Sequence, residues 1–241
     1  MRSKFNFPAS HDLLDHGFVA LVDFMGHDKA IVNAARVSYK GLVDNEDRTM
    51  STKDKKLIHS LMKRGHTSPF EAVTFKFAIK APIFVLRQWQ RHRTWSFNEI
   101  SARYARVKQE FYLPKVEHIG KQMKHEKQMR DMTAINYDAT NIRFEMRMQA
   151  EIAFSAYNTM LDQGCPRELA RATLPQNTYS SMYGVVNLHN LFKFLTLRND
   201  LHAQYEIRVY AEAIEKIIQY IVPEAYEAFK GVKYETGHTP S

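Results

Sequence analysis

The stretch AVTFKFAIKAPIFVLRQWQR, residues 72–91, joins the pattern of a strand to the pattern of a helix. Its first half alternates between apolar and polar side chains, and the apolar positions are Val73, Phe75, Phe77 and Ile79. A period of two predicts a half-buried strand. Pro82 suits the first turn of a helix, where its missing amide hydrogen is not needed. The stretch therefore predicts a strand that packs on one face and leads directly into a helix over residues 83–91.

The sequence before this stretch predicts a strand and helices, whereas the sequence after it predicts helices. Before it, a strand is predicted over residues 17–26 and two helices follow, one capped by Asp28 and one capped by Ser51 or Thr52 and ended by Gly65. After it, helices are predicted over residues 141–164, 165–175, 185–199 and 202–229. The predicted fold class is α+β, with a mixed sheet in the first half packed with long helices and a helical second half.

Two further features concern residues 117–138 and the number of domains. The charged, methionine-rich residues 117–138 fit either an exposed helix or a variable insertion. Since there is no internal repeat, low-complexity run or linker, residues 1–241 are expected to form a single domain.

Composition limits the compartment and the partners. The chain has 34 Lys and Arg against 26 Asp and Glu, a net charge of +8, which favours anionic partners such as nucleotides, nucleic acid or other phosphorylated molecules. Its one cysteine, Cys165, rules out an intrachain disulfide and indicates a reducing interior. No signal peptide and no apolar run of about 20 residues is present, so a cytoplasmic protein without a membrane span is expected.

The densest charge lies in RQWQRHRTWSFNEISARYAR, residues 87–106, which holds five arginines and both tryptophans of the chain. Arg91, Arg93 and Arg103 are suited to bidentate contacts with phosphate. The polar residues that follow RHR predict a loop, and Glu99 offers an acceptor to a sugar hydroxyl or an arginine. Ser101 with its neighbouring amides fits a small anion site. The alternative is a surface network of salt bridges.

A second polar cluster spans residues 171–198. Arg171 and Arg198 flank it, and Asn187, His189 and Lys193 lie within it at helical or near-helical spacing. Each residue alone is better explained as a polar group on a helix surface or as a core amide, and only their combination indicates a site. No metal-ligand spacing, Walker motif or G-x-G-x-x-G is present. A site rich in arginine and poor in carboxylates binds anions well, so an enzyme of this type would rely on an organic cofactor.

The motif RHR followed by seven residues and Ser101 closely resembles the signature of flavin-dependent thymidylate synthases, the ThyX family. Six further blocks also resemble that family: NAARVSY, GHTSPFE, NEISARY, RATLP, VVNLHNLFKFLTLR and HAQYEIR. The resemblance extends over roughly residues 17–220. It implies conversion of deoxyuridylate (dUMP) to thymidylate (dTMP), with 5,10-methylenetetrahydrofolate as carbon donor, FAD as redox cofactor and NADPH as electron source. It also implies a homotetramer with active sites between subunits.

The same resemblance implies which residues bind ligands. FAD contacts would be Ser68, Glu71, Arg91, His92, Arg93, Glu99, Asn187, Leu188, His189 and Lys193. The dUMP contacts would be Gln88, Trp89, Gln90, Arg91, Glu99, Ile100, Ser101, Ala102, Arg103, Arg171 and Arg198. Arg198 would be catalytic, by promoting ionisation of the uracil ring, while His66 would lie beside the flavin or folate and Tyr104 and Gln204 near the nucleotide.

Some residues depart from the family pattern, and others leave a second mechanism or function open. His189 and Lys193 depart from the residues that many family members carry there. The aromatic side chains between the arginines are expected to stack or pack on flat ring systems. Cys165 is the only candidate for the cysteine nucleophile that a classical thymidylate synthase needs, but its GCPRE setting lacks that resemblance. The competing hypothesis is a basic nucleic-acid-binding protein without catalysis.

Overall fold

A computed structural model of the chain describes residues 5–42 and 48–235, with side chains as far as Val232. Its strands are β1 (Ser10–Leu13), β2 (Gly17–Met25), β3 (Thr74–Pro82), β4 (Ser96–Glu99), β5 (Lys121–Gln122), β6 (Arg130–Asp131) and β7 (Tyr179–Asn187). Its helices are α1 (Asp28–Lys40), α2 (Thr52–Lys63), α3 (Ile83–Trp89), α4 (Ala139–Asp162), α5 (Arg167–Ala170), α6 (Leu188–Arg198), α7 (Tyr205–Ile218) and α8 (Pro223–Glu235).

Strand β3 lies at the centre of a five-stranded sheet with the order β1-β2-β3-β7-β4. The predicted alternation is confirmed, since Phe75, Phe77 and Ile79 are buried while Lys76 and Lys80 on the other face are half-buried. Pro82 ends the strand and precedes α3, one position earlier than the first helical turn predicted for it. The strand therefore leads directly into the helix that carries the arginine-rich segment.

The fold class α+β is confirmed, but the sheet differs from the expectation in two respects. Every strand pair described in it is antiparallel, where a mixed sheet was expected. Its fourth strand, β7, comes from the second half of the chain, where Val185 and Val186 were predicted to begin a helix. These β-branched residues instead pair with Lys76 and Phe75 of β3, and α6 begins only after Asn187.

Two local predictions are also corrected. Residues 96–99 form the edge strand β4 on β7, where the polar residues after RHR predicted a loop. The N-cap of α1 is His27, not Asp28. Asp28 is buried, and it accepts hydrogen bonds from the amides of Glu224 and Ala225 at 2.9 and 3.0 Å. Its carboxylate therefore serves the first turn of α8 and ties the two ends of the fold together.

The helices cover the sheet unequally. The buried face of α7 carries Ile207, Tyr210, Ile214 and Ile217 in the main core, beneath β2 and α3. Ser51, one of the two predicted caps, begins α2, and it forms a capping box with Asp54. By contrast, α4 packs on α5 and on short 3₁₀ turns, and most of its surface is exposed. Of the two interpretations of residues 117–138, the exposed helix is wrong, because β5 and β6 pair there as a small antiparallel hairpin.

Candidate active site

The two tryptophans fix the arginine-rich segment to the core. Trp89 is fully buried, stacks on Phe194 with ring centroids 4.9 Å apart, and meets Trp95 edge-on at 5.6 Å. Trp95 lies against Gly184 of β7, where a Cβ atom would come within 3.1 Å of its ring. Both rings are buried in the subunit, so neither tryptophan ring is available to stack on a ligand there, and the contact of Trp89 with dUMP stays a prediction. Their burial leaves the charged side chains between them at the surface.

His92 and Arg198 form the best-defined polar contact of the site. Arg198, in the last turn of α6, donates from Nε to His92 Nε2 at 2.9 Å and from Nη2 to the carbonyl oxygen of Gln88 at 3.1 Å. Burial, followed by the Arg198 charge, lowers the pKa of His92 to about 4. His92 is therefore neutral near pH 7 and available as a hydrogen-bond acceptor. The pair brings the RHR segment and the predicted catalytic arginine together.

Arg91 and Arg93 lie on either side of His92 and are exposed. Among the described residues, neither guanidinium group has a hydrogen-bond or ion-pair partner. Burial and the nearby Arg91 charge lower the pKa of Arg198, which shows that positive charge is concentrated here. Unpaired guanidinium groups next to a half-buried one suit a multiply charged anion.

Glu99 is held on β4 by two neutral donors. Gln90 Nε2 donates to its Oε2 at 3.1 Å, and Ser180 Oγ donates to its Oε1 at 2.6 Å. Of the two partners expected for Glu99, a sugar hydroxyl or an arginine, the arginine is not found among its contacts with described residues, which are an amide and a hydroxyl. Ile100 continues the strand pairing through its amide to Ser181 O at 2.9 Å, and its side chain is exposed. The carboxylate therefore remains at the surface, ready to accept further hydrogen bonds.

Arg103 and Arg171, the predicted phosphate contacts, both reach Glu168. Arg103 Nη2 lies 3.2 Å from Glu168 Oε2, and Arg171 Nε donates to the Glu168 carbonyl oxygen at 3.3 Å. The Arg103–Glu168 pair is more than half exposed, so it is weak. Ser101 Oγ accepts from the Arg103 amide at 3.3 Å, within the turn that also contains the half-buried Ala102. Sequence reasoning missed Glu168, which only the fold brings to these arginines.

A second group of predicted residues lies where β3 begins and β7 ends. Thr74 pairs with Asn187, which places the 3₁₀ turn Ser68–Ala72 next to the first turn of α6. Asn187 caps α6 through its Oδ1, which accepts from the Asn190 amide at 2.9 Å. Burial and Lys193 lower the pKa of His189, while Glu71 opposes that shift. These side chains therefore share one electrostatic environment.

The other residues of this second group differ in the solvent exposure of their side chains. Ser68, Glu71, His66 and Lys193 are exposed, whereas Leu188 is fully buried and donates its amide to Val73 O at 2.8 Å. The Leu188 side chain therefore packs in the core, and its contact with FAD stays a prediction. No hydrogen bond between described residues joins this group to the group around Arg198. Asn187 and Arg198 lie at opposite ends of the 11-residue helix α6, roughly 16 Å apart along its axis, so one subunit presents the predicted ligand contacts as two separate groups.

Gln204 extends the Arg198 group toward α7. Gln88 Nε2 donates to Gln204 Oε1 at 2.5 Å, and a cavity of about 290 Å³ adjoins Gln204 beneath the β5–β6 hairpin. Arg130, Arg208 and Tyr205 also line this cavity. The part played by Arg130 was not predicted, because it lies in a segment without a recognisable motif.

Cys165 lies outside both groups. It packs with Phe154 and Tyr157 in a small apolar cluster beside α4, and its Sγ is 3.8 Å from the Pro166 carbonyl oxygen. Among the described residues, Sγ has no hydrogen-bond partner other than this carbonyl oxygen, while Arg106 and Arg167 line the same cavity as Cys165. In the part of the chain that the structure describes, no group of three or more His, Cys, Asp or Glu could hold a metal ion. None of the described helices is long and apolar enough to cross a membrane.

The amino-acid sequence is similar to known proteins over most of its length. Residues 20–224 match the family model described as thymidylate synthase complementing protein. The chain is 48% identical over 223 residues to a flavin-dependent thymidylate synthase of Thermus thermophilus, covering 92% of this chain and 79% of the relative. It is 44% identical over 219 residues to one of Ehrlichia ruminantium, covering 91% and 72%.

The fold is also similar to a solved structure. The UMP/dUMP methylase PolB from Streptomyces cacaoi, bound with 5-Br dUMP, superposes with a TM-score of 0.81 at 36% sequence identity. The superposition covers 92% of this chain and 97% of that protein. The likeness therefore extends over nearly the whole architecture rather than over one motif.

Proposed function

This chain belongs to the thymidylate synthase complementing protein family, and from that membership we propose that it is a flavin-dependent thymidylate synthase that methylates dUMP to dTMP. The observation that carries the proposal is the extent of the match, since residues 20–224 contain every predicted ligand contact. The likeness to a structure bound with 5-Br dUMP supports a uracil nucleotide as substrate.

The dUMP phosphate is assigned to Arg103 and Arg171. Their shared neighbour Glu168 is exposed, so a phosphate can replace its carboxylate at Arg103 without breaking a buried contact. Ser101 lies in the same turn and contributes a hydroxyl and backbone amides rather than a nucleophile, because no base among the described residues contacts its Oγ. Glu99 and Gln90 complete the nucleotide contacts on the other side of the turn.

Arg198 acts on the uracil ring. Its guanidinium is half-buried and already oriented by His92 and by the carbonyl oxygen of Gln88. A preoriented donor stabilises the negative charge that develops on the ring as its C5 carbon becomes nucleophilic. Because His92 is neutral, it holds Arg198 without neutralising it. No cysteine nucleophile is required, which agrees with the packed position of Cys165.

The flavin is proposed to be FAD. The residues present fit such a group, because Arg91 and Arg93 expose guanidinium groups without partners and the end of β7 adds Asn187, His189 and Lys193. A diphosphate-bearing cofactor needs such cationic and amide donors. Ser68 and Glu71 are assigned to the same ligand from the neighbouring 3₁₀ turn. When bound, the reduced flavin supplies the electrons that convert the transferred carbon into a methyl group.

The balance of the reaction requires a one-carbon donor and a two-electron reductant. We assign 5,10-methylenetetrahydrofolate as carbon donor and NADPH as reductant. Replacing the C5–H bond of uracil by a C5–CH₃ bond adds one carbon and two hydrogens. Tetrahydrofolate leaves after giving up the carbon, and NADPH with one proton supplies the two hydrogens and two electrons. All four ligands are anions, which suits a chain with a net charge of +8.

The site is proposed to be completed by assembly into a homotetramer. The two groups of predicted contacts remain apart within one subunit, as described above. In addition, α4 exposes an apolar stripe in which Phe144, Met148 and Ile152 are 55%, 36% and 55% accessible. A helix with such a stripe buries it against a partner. The enzyme is assigned to the cytoplasm, in keeping with its single free thiol.

The decisive experiment is release of tritium from dUMP labelled at C5, with NADPH and methylenetetrahydrofolate present. The purified protein should be yellow, and NADPH should bleach its flavin absorbance. Tritium release should require all three small molecules. A colourless protein that refuses flavin and binds oligonucleotides with a steep salt dependence would instead support a nucleic-acid-binding role.

A further inference from the structure

Glu99 is an exposed carboxylate in a segment dominated by arginine, yet none of those arginines pairs with it. Its Oε1 accepts from Ser180 Oγ at 2.6 Å, and its Oε2 accepts from Gln90 Nε2 at 3.1 Å. Among the described residues, no cation forms an ion pair with this carboxylate. Neutral donors therefore fix its direction without using an arginine that an anionic ligand needs.

Ser180 reaches Glu99 because of the register between β4 and β7. Glu99 pairs with Met182, and residues two apart on a strand share a face, so the side chains of Ser180 and Glu99 are diagonal neighbours on one side of the sheet. Strand β4 ends at Glu99, whereas β7 extends beyond it to Tyr179 and pairs there with β3, where Ser180 lies opposite Ala81. Ser180 is therefore held by the centre of the sheet, while Glu99 stands at the end of an edge strand.

The two hydrogen bonds leave Glu99 with the capacity to accept another. An ionised carboxylate has about four acceptor positions, and Gln90 and Ser180 occupy two of them. A dUMP molecule offers one sugar donor only, because its 5′ oxygen carries the phosphate, its 1′ carbon carries the base and its 2′ carbon has no hydroxyl. That donor is the 3′-hydroxyl.

The position of Glu99 also fits the sugar. The turn after Glu99 carries Arg103, which is assigned to the phosphate. On the other side, Glu99 is bonded to Gln90, the C-cap of α3, the helix whose Gln88 carbonyl oxygen accepts from Arg198. Arg198 is assigned to the uracil ring. Because the sugar joins the phosphate to the base, a carboxylate linked to the binding residues of both faces the sugar.

We propose that Ser180 is a positioning residue for sugar recognition: its hydroxyl holds the Glu99 carboxylate in the direction that accepts the 3′-hydroxyl of dUMP. Without Ser180, one oxygen of this carboxylate has no partner to fix its direction. The inference rests on the proposed function, because it takes dUMP as the ligand. It adds a residue of β7, 81 positions from Glu99 in the chain and outside every predicted contact, to the determinants of nucleotide binding.

The test compares dissociation constants for dUMP and for 2′,3′-dideoxyuridine monophosphate (ddUMP), which lacks only the 3′-hydroxyl. Both are measured by titration calorimetry on the flavin-loaded enzyme. The wild type should prefer dUMP, and Ser180→Ala should reduce that preference about three- to tenfold, the net value of one hydrogen bond. Ser181→Ala makes the same change at the next position, on the other face of β7, where the hydroxyl has no hydrogen-bond partner among the described residues. This control should leave the preference unchanged.

A pair of variants with the same shape separates the hydroxyl from a simple disturbance of the strand. Threonine and valine are both β-branched and both suit a strand, but only threonine has a hydroxyl. Ser180→Thr should keep the preference for dUMP, whereas Ser180→Val should lose it to the same extent as Ser180→Ala. Equal preferences in Ser180→Thr and Ser180→Val would overturn the role of the Ser180 hydroxyl.

A double substitution tests whether Ser180 acts through Glu99. Glu99→Ala removes the acceptor, so the preference for dUMP over ddUMP should disappear. Adding Ser180→Ala should then leave the ratio as it is, and any further change would contradict the path through Glu99. Wild-type enzyme that binds neither nucleotide would overturn the proposed function as well. Wild-type enzyme that binds dUMP and ddUMP equally, or Ser180→Ala with the wild-type ratio, would overturn the positioning role alone.

Discussion

Replacing His92 by phenylalanine removes the acceptor for Arg198 while keeping an aromatic ring against Phe194, which it meets at a centroid distance of 4.9 Å. Arg198 then loses one of its two hydrogen bonds, the one from Nε at 2.9 Å. A hydrogen bond to a charged group contributes about 1.5–3 kcal/mol, which corresponds to roughly 10- to 150-fold in rate. Because the bond to Gln88 O remains, we expect a loss of kcat near the lower end of this range.

The assay is steady-state tritium release with saturating dUMP, together with flavin absorbance and thermal unfolding. His92→Gln should recover most of the rate, because its Oε1 can occupy the position of the imidazole Nε2. His59→Phe, at an exposed position on α2, serves as the control for a histidine-to-phenylalanine change outside the site. Full kcat in His92→Phe with flavin bound would refute the positioning of Arg198 by His92.

The same contact predicts a pH dependence with a defined sign. The pKa of His92 is lowered to about 4, so the neutral, accepting form is present at neutral pH and is lost as the pH falls toward that value. Protonation would place two cations against each other. Wild-type turnover should therefore fall on acidification, whereas His92→Gln should lack this component of the profile. A variant profile identical to that of the wild type would rule out His92 as its source.

Arg198→Ala should reduce turnover at least a hundredfold with flavin still bound, because the preoriented donor is lost; near-normal tritium release would exclude its proposed role. Cys165→Ser should retain activity, since its thiol packs in the cluster beside α4; an inactive, folded variant would reopen the cysteine mechanism. Asp54→Ala should destabilise the fold by about 3 kcal/mol in urea unfolding, because it leaves Lys29 and Arg36 without their carboxylate at 2.8 and 2.6 Å. Burial opposes ionisation of Asp54, but hydrogen bonds from Lys29, Ser51 and Arg36 outweigh burial and lower the pKa of this carboxyl group. The wild type should therefore lose this contribution to stability as the pH falls below about 4. Asp54→Ala should not show this loss, because it lacks the carboxyl group.

The parts of the fold that follow from short-range pattern were predictable. The alternation in β3 fixes its buried face, and the capping box at Ser51 fixes the start of α2. Strand β7 was missed because its end, Val185–Asn187, runs without a break into the apolar period of α6. Only pairing with β3, joined at Val185 by pairing with β4, decides that these residues are extended.

The site residues likewise divide into those that were predicted from sequence and those that only the fold brings together. The RHR motif, Ser101 and Arg198 were predicted from their resemblance to a family, and the fold brings His92 to Arg198. Sequence reasoning could not find that Trp89 and Trp95 face the core, because a basic aromatic segment looks alike whether its rings bind a ligand or anchor the chain. Nor could it find that Arg130, which lines the cavity beside Gln204, pairs with the buried Glu206, because the two residues lie 76 positions apart in the chain.

The position of β7 between β3 and β4 has a consequence for biosynthesis. The amino-terminal half of the chain leaves the ribosome first, yet β4 has nothing to pair with until residues 179–187 arrive. During that interval the edge of β3 that will pair with β7 presents unpaired backbone N–H and C=O groups next to apolar side chains. Such an edge can bind chaperones or other nascent chains. A product that terminates before Tyr179 would keep that edge permanently, and it should accumulate as aggregate rather than as a partly active enzyme.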